Sequence, residues 1–231
     1  KPIEEPRFKH NQDSGIFIDC TRATQNISWY GEIKLHDQII KIDSFKGTRD
    51  RSWGLRPIGN KDNKETKHTE EPQFYWIWTP MNFPNHCIFY HRNDDSLGKS
   101  WNCRAVVDNL EENSRLEITS PKIEIDYKKN TRRINDLKIK LEDAELEFIP
   151  GRVFYMQGLG YTHPEWGHGN NHGKLEVGFD IIDLDKAESE LAKGLIHNLH
   201  IQTLSKIKFK TPEIFITGQG IIEQLFIGRH K

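Results

Sequence analysis

The run Lys46-Gly47-Thr48-Arg49-Asp50-Arg51-Ser52-Trp53-Gly54 sets one carboxylate between two guanidiniums, then adds a hydroxyl, an indole and a glycine. If the three charges converged, the arginines would hold Asp50 ionised. On an extended strand they do not converge: Arg49, Arg51 and Trp53 point to one side, Asp50 and Ser52 to the other. Asp50 then faces a core or a cavity, where a carboxyl group must find donors or take up a proton. Two readings stay open. Asp50 is the acid or base of a pocket, or it is an inward carboxylate tied to backbone groups with Arg49, Arg51 and Arg56 as outer salt bridges.

Three further groups bear on that choice. Gly158 to Gly173 carries Tyr161, His163, Trp166, His168 and His172 among five glycines. Neutral imidazoles invite a metal, but these lack helical spacing, a nearby cysteine or a paired acid, so no metal and no cofactor is expected. The loop reads instead as a pocket edge in which His168 or His172 orients water or moves a proton, with Tyr161 and Trp166, together with Trp53, against the ligand. Phe74-Tyr75-Trp76-Ile77-Trp78 is an aromatic stripe, either core or the wall of a cavity for an apolar ligand, with Tyr75, Trp76 and Trp78 as contacts. Glu223 stands among apolar residues; if buried it pairs with an arginine, for which Arg49, Arg51 and Arg56 are candidates.

These residues are positioned by strands. Ile27 to Leu35 alternates, His36-Asp37 turns the chain, and Gln38 to Phe45 returns as a hairpin. Period-2 or apolar runs recur at Gly15–Cys20, Phe74–Trp78, His86–His91, Trp101–Val107, Arg115–Tyr127, Leu137–Leu141, Leu146–Ile149, Val153–Met156, Leu175–Leu184 and Ile214–Phe226, the last interrupted by Gly218 and Gly220. One short helix is expected over Asp185–Lys193, and a polar loop over Asn60–Glu71. Many short antiparallel strands make an all-β barrel or sandwich. Gly47 precedes Trp53-Gly54 as Gly160 precedes Trp166-Gly167, which suggests two related β units, residues 1–113 and 114–231.

Composition excludes several classes. With 33 Lys+Arg against 34 Asp+Glu the 231-residue chain has no global field to recruit nucleic acid. No apolar run is long enough to cross a bilayer as a helix, so no stable membrane insertion is expected. Cys20, Cys87 and Cys103 are odd in number and lack paired spacing, which fits free thiols in a reducing, cytoplasmic compartment. The chain starts at Lys1 without a methionine, as part of a longer protein would.

The runs Gly47–Pro57, Gly158–Gly169 and Gly218–His230 together resemble a mostly uncharacterised bacterial family with an Arg-Asp-x-Ser-Trp-Gly motif. More distantly they resemble the carotenoid 1,2-hydratase (hydroxyneurosporene synthase) and lipocalin-like AttH superfamily. That resemblance implies a lipocalin-like fold of two β units with an apolar cavity between or within them. It also implies that an aspartate at the position of Asp50 protonates an isoprenoid double bond, with water capturing the cation. The expected activity is a hydratase, isomerase or cyclase acting on an isoprenoid- or polyketide-like molecule, a lyase or isomerase in class. The alternative is a lipocalin-like carrier of an apolar small molecule without chemistry.

Overall fold

The computed structural model describes residues 2–12, 15–55, 73–156, 171–178, 181, 183–185 and 200–230. Alternating sequence becomes thirteen strands: β1 (Ile3–Glu4), β2 (Phe8–Gln12), β3 (Gly15–Leu35), β4 (Gln38–Leu55), β5 (Phe74–Asn82), β6 (His86–Asp94), β7 (Ser100–Asn109), β8 (Ser114–Ile118), β9 (Lys122–Tyr127), β10 (Ile134–Leu141), β11 (Ala144–Tyr155), β12 (His200–Lys210) and β13 (Phe215–Ile227). Every pairing is antiparallel. This is the all-β, lipocalin-like architecture that the alternation demands.

Nine strands form one sheet in the order β8-β7-β6-β5-β13-β12-β11-β10-β9. It takes strands from both sides of residue 113, with Asn109 of β7 opposite Ser114 of β8. The sheet curls so that Ile77, Ile88 and Tyr90 of its first half share one core with Leu137, Ile139, Phe148 and Ile207 of its second. Side chains fill this concave interior. Each buried apolar residue there contributes roughly 1.5–3 kcal/mol relative to exposure.

The second sheet is built on β3, which takes β2 and β1 along one edge and β4 along the other. Its inner face lies on the outer face of the curled sheet. Arg104 Nη1 donates to Glu4 O at 2.9 Å, Asn26 Nδ2 donates to Met81 O at 2.9 Å, and Phe8 meets Trp101 at 6.2 Å between ring centroids. The far end of the β3–β4 ribbon extends past this contact. Trp29, Ile33, Leu35, Ile40 and Phe45 alternate there without being buried.

Two strand expectations are corrected. Gly218 and Gly220 do not interrupt β13: they allow it to lie close to β5. A Cβ on Gly220 would stand 2.4 Å from Pro80 O, and one on Gly218 2.3 Å from Asn82 O. Leu175–Leu184 alternates, yet residues 171–178 form no strand, and Leu175 and Val177 are exposed. Alternation makes a strand only where a partner ladder takes up the backbone hydrogen bonds. The hairpin turn at His36-Asp37 forms as expected, with His36 at φ 50°. The expected 60–71 loop, and the expected helix beyond Asp185, lie outside the described residues.

Candidate functional site

The adjacent strands β12, β13 and β5 send every second side chain outward, opposite the filled core. Their register aligns these side chains in rows. His200, Leu225 and Trp76 form the first row; Gln202, Glu223 and Trp78 the second. Leu204 and Ile221 follow beside Pro80, and then Lys206, Gln219 and Asn82. The β3–β4 ribbon roofs this floor with Arg22, Asp50, Thr48, Gly47 and Lys46. Residues 149–152 of β11, together with Met156 and His172, complete the walls. The cleft, partly open to solvent, measures about 1170 Å³, large enough for a drug-sized apolar molecule.

On the roof, Asp50 lies opposite Thr24 and diagonal to Arg22, because the ribbon pairs Thr24 with Asp50 and Arg22 with Ser52. Its Oδ1 stands 3.6 Å from Arg22 Nε, and its side chain is 47% exposed. Arg22 is buried, with its guanidinium carbon 4.0 Å from the Trp76 ring centroid. Its Nη1 is 3.8 Å from Glu5 Oε1. Neither Arg22 Nε nor Nη1 has a hydrogen-bond acceptor among the described residues. Arg22 therefore serves two carboxyl groups at ion-pair range without a short bond to either, while its face lies on an indole.

Behind Arg22 is a buried acid. Glu5 follows β1 and is fixed by its backbone N–H, which donates to Arg22 O at 2.8 Å. Burial pushes its carboxyl up to about 7; the charges of Arg22 and Arg104 oppose that rise and Asp50 adds to it. Glu5 Oε2 is 3.7 Å from His91 Nδ1. The opposite nitrogen, His91 Nε2, meets Asn102 Oδ1 at 2.9 Å. Asn102 Nδ2 donates to Asn93, which orients the amide so that His91 Nε2 is the donor and Nδ1 the lone pair facing Glu5. Burial holds His91 down to about 3, with Arg22 and Arg104 adding to the drop against the Asn102 bond.

On the floor, Glu223 is held by His200 and Gln202. His200 Nε2 is 2.9 Å from Oε1, and Gln202 Nε2 donates to Oε2 at 2.7 Å. Burial alone would raise the Glu223 carboxyl, but the His200 bond and charge, the Gln202 bond and the Arg22 charge together keep it below the ordinary carboxylate value. A carboxylate that orients an imidazole is an acid–base pair.

Of the residues singled out in the sequence, Asp50, Trp76, Trp78, His172 and Glu223 line this one cleft. Arg49 and Arg51 are exposed on the opposite side of β4, and Trp53 is 47% exposed there, away from the cleft. Tyr75 faces the other way, stacked on Phe226 at 4.3 Å and His230 at 3.8 Å. Arg56, Tyr161, His163, Trp166 and His168 lie outside the described residues. Glu223 takes His200 and Gln202 rather than Arg49 or Arg51. Sequence reasoning missed Arg22, Glu5, His91 and His200. Their single signal was charge or imidazole inside apolar, alternating sequence, as in Cys20-Thr21-Arg22 and Leu199-His200-Ile201.

The chain belongs, over residues 1–231, to a Family of unknown function (DUF8625). No curated protein matches it. Among solved structures it is similar to an AttH-type protein from Nitrosomonas europaea (TM-score 0.51, 10% identity, covering 95% of this chain and 56% of that one). It is also similar to kievitone hydratase from Nectria haematococca (TM-score 0.48, 15% identity, 95% of this chain and 64% of that one). The chain thus spans less than two thirds of the length of either, and at these identities the AttH likeness speaks for a shared fold. Among the described residues no helix is long and apolar enough to cross a membrane.

Proposed function

We propose that this member of a family of unknown function binds an apolar small molecule in the cleft between its two sheets and carries out proton-transfer chemistry on it, as a hydratase or isomerase does. One observation carries the reading. Two polar pairs from different sheets, Asp50 with Arg22 and Glu223 with His200, open onto the same aromatic-walled cleft.

In hydration one alkene carbon gains a proton, the other becomes cationic, and water adds its oxygen there and gives up a proton. In isomerisation the cation instead loses a proton from a neighbouring carbon. Both routes need one group to deliver a proton and another to take one, which is a role for two separate pairs. The Trp76 face already carries Arg22, so Trp78 is the wall left to stabilise cationic carbon. The carotenoid-hydratase resemblance assigns the acid to the position of Asp50. The His200–Glu223 pair is assigned the complementary transfer, uptake of the proton that water or the cation gives up.

The test is incubation with isoprenoid and prenylated aromatic compounds in D₂O, followed by mass spectrometry. Deuterium enters the ligand in either route, and water addition shows as a further mass gain. Asp50→Asn and Glu223→Gln are expected to abolish incorporation while leaving ligand affinity within a few-fold. Ligands that bind the wild type yet never incorporate deuterium would make the protein a carrier and overturn the catalytic part.

A further inference from the structure

The rows of the floor differ in character along the strands. Glu223 and Gln202 with Asp50 above them form a polar end. Leu204, Ile221 and Pro80 form an apolar middle. Lys206, Gln219 and Asn82 form the last row, under Lys46 of the roof. The direction of the ribbon fixes this correspondence: Arg22 lies over Trp76, while Asn26, which faces Thr48 and is diagonal to Lys46 across the β3–β4 pair, is bonded to Met81. Arg152 lines the cleft from the β11 bulge beside Leu204, where the register shifts between Pro150 and Val153.

From Leu204 onward the cleft holds three cations, Arg152 beside Leu204 and Lys46 and Lys206 at the last row, and no acid among the described lining residues; both lining carboxylates, Asp50 and Glu223, lie on the other side of Leu204. Among the described residues none of the three cations makes an ion pair. Lys46 donates to the neutral Ser28 Oγ at 2.9 Å. By contrast Lys208, one row further along β12, is paired with Glu147. Glu223 and Gln219 are four positions apart in β13, about 13 Å along an extended strand.

We propose that the ligand of this cleft is an amphiphilic anion, with a carboxylate or phosphate head held by Lys46, Lys206 and Arg152 and an apolar body running along Ile221 and Leu204 to the Asp50–Glu223 end. This rests on the reading that the cleft binds an apolar molecule and adds its chemical class and orientation. A lysine pair and a guanidinium supply directional donors for an oxyanion. Without such a counter-ion, three like charges around a partly apolar cleft repel one another.

The experiment uses three probes of equal chain length on the full chain: dodecanoate, dodecyl phosphate and dodecanol, followed by quenching of tryptophan fluorescence. Wild type is expected to bind at least one anion about tenfold more tightly than the alcohol, with an advantage that shrinks as salt is added. Lys206→Gln and the pair Lys46→Gln/Lys206→Gln should remove that advantage and leave dodecanol binding within about twofold. These side chains are exposed, so circular dichroism should show intact folding. Preference between the carboxylate and phosphate arms names the head group. Equal binding of anion and alcohol, or an anion preference untouched by the lysine changes, overturns the proposal while sparing apolar binding. Absence of binding by all three overturns both.

Discussion

Replacing Glu5 by glutamine should change how stability depends on pH, and the size of that change follows from the site. Glu5 is buried, its two oxygens have no hydrogen-bond donor among the described residues, and its carboxyl is pushed from the ordinary 4.5 up to about 7. The native protein therefore holds the Glu5 proton more tightly than the unfolded chain does. Between pH 4.5 and about 7 the native state binds more protons at this position, so this group makes stability fall as pH rises, fully present below 4.5 and lost by about 7. Each pH unit in that window is worth about 1.4 kcal/mol, which gives a total of about 3 kcal/mol. Glutamine cannot ionise. Relative to wild type, Glu5→Gln should therefore gain about 3 kcal/mol of stability between pH 4 and pH 8. Titrating groups that do not interact with Glu5 contribute equally to both curves and cancel in the difference. Urea unfolding at pH 4, 5, 6, 7 and 8, followed by tryptophan fluorescence, measures it. A constant offset between the two proteins across that range would refute the reasoning, because it would mean that Glu5 ionises as readily in the fold as outside it.

Three other outcomes are expected. Glu223 has a depressed carboxyl, so it stabilises the fold above its ordinary value of 4.5 and loses that contribution as pH falls through the lower native value; Glu223→Gln should flatten the acid limb of a thermal-melt series. Gly220→Ala puts a methyl group 2.4 Å from Pro80 O, where neither backbone yields cheaply, and should cost about 2–3 kcal/mol in urea unfolding with a lower Tm. Arg22→Met removes the cation serving both Glu5 and Asp50, and should cost about 3–5 kcal/mol at pH 8, where both are ionised, and less at pH 5, where Glu5 is neutral; urea midpoints at the two values check it.

The period-2 pattern made an all-β fold legible, together with the hairpin at His36-Asp37 and the separation of Asp50 from Arg49 and Arg51. It also grouped Trp76 with Trp78. All of these are local, because one extended backbone sends successive side chains to opposite faces whatever surrounds it. Alternation does not say which face is covered. Tyr75 and Trp76 were equally apolar neighbours, and only the curl of the nine-stranded sheet turned Tyr75 to the filled side and Trp76 to the cleft. Nor does alternation guarantee a partner, as Leu175–Leu184 shows. The ribbon end with Trp29 and Phe45 carries the same pattern and stays about half exposed.

The chemistry depended still more on contacts distant in sequence. Glu223 meets His200 because β12 and β13 pair in one register, and a slip of one residue would turn the imidazole to the opposite face. Glu5, Arg22 and His91 come from three strands or their flanks, and the environment that moves two of their protons exists only when two sheets exclude water between them. What the sequence by itself determined was which residues are strand and which side chains share a face. What only the tertiary structure decided was which faces meet, and therefore which carboxyl groups are buried, which charges are shared and where the cleft lies. Side-chain direction is a property of one backbone, whereas burial and pairing are properties of two.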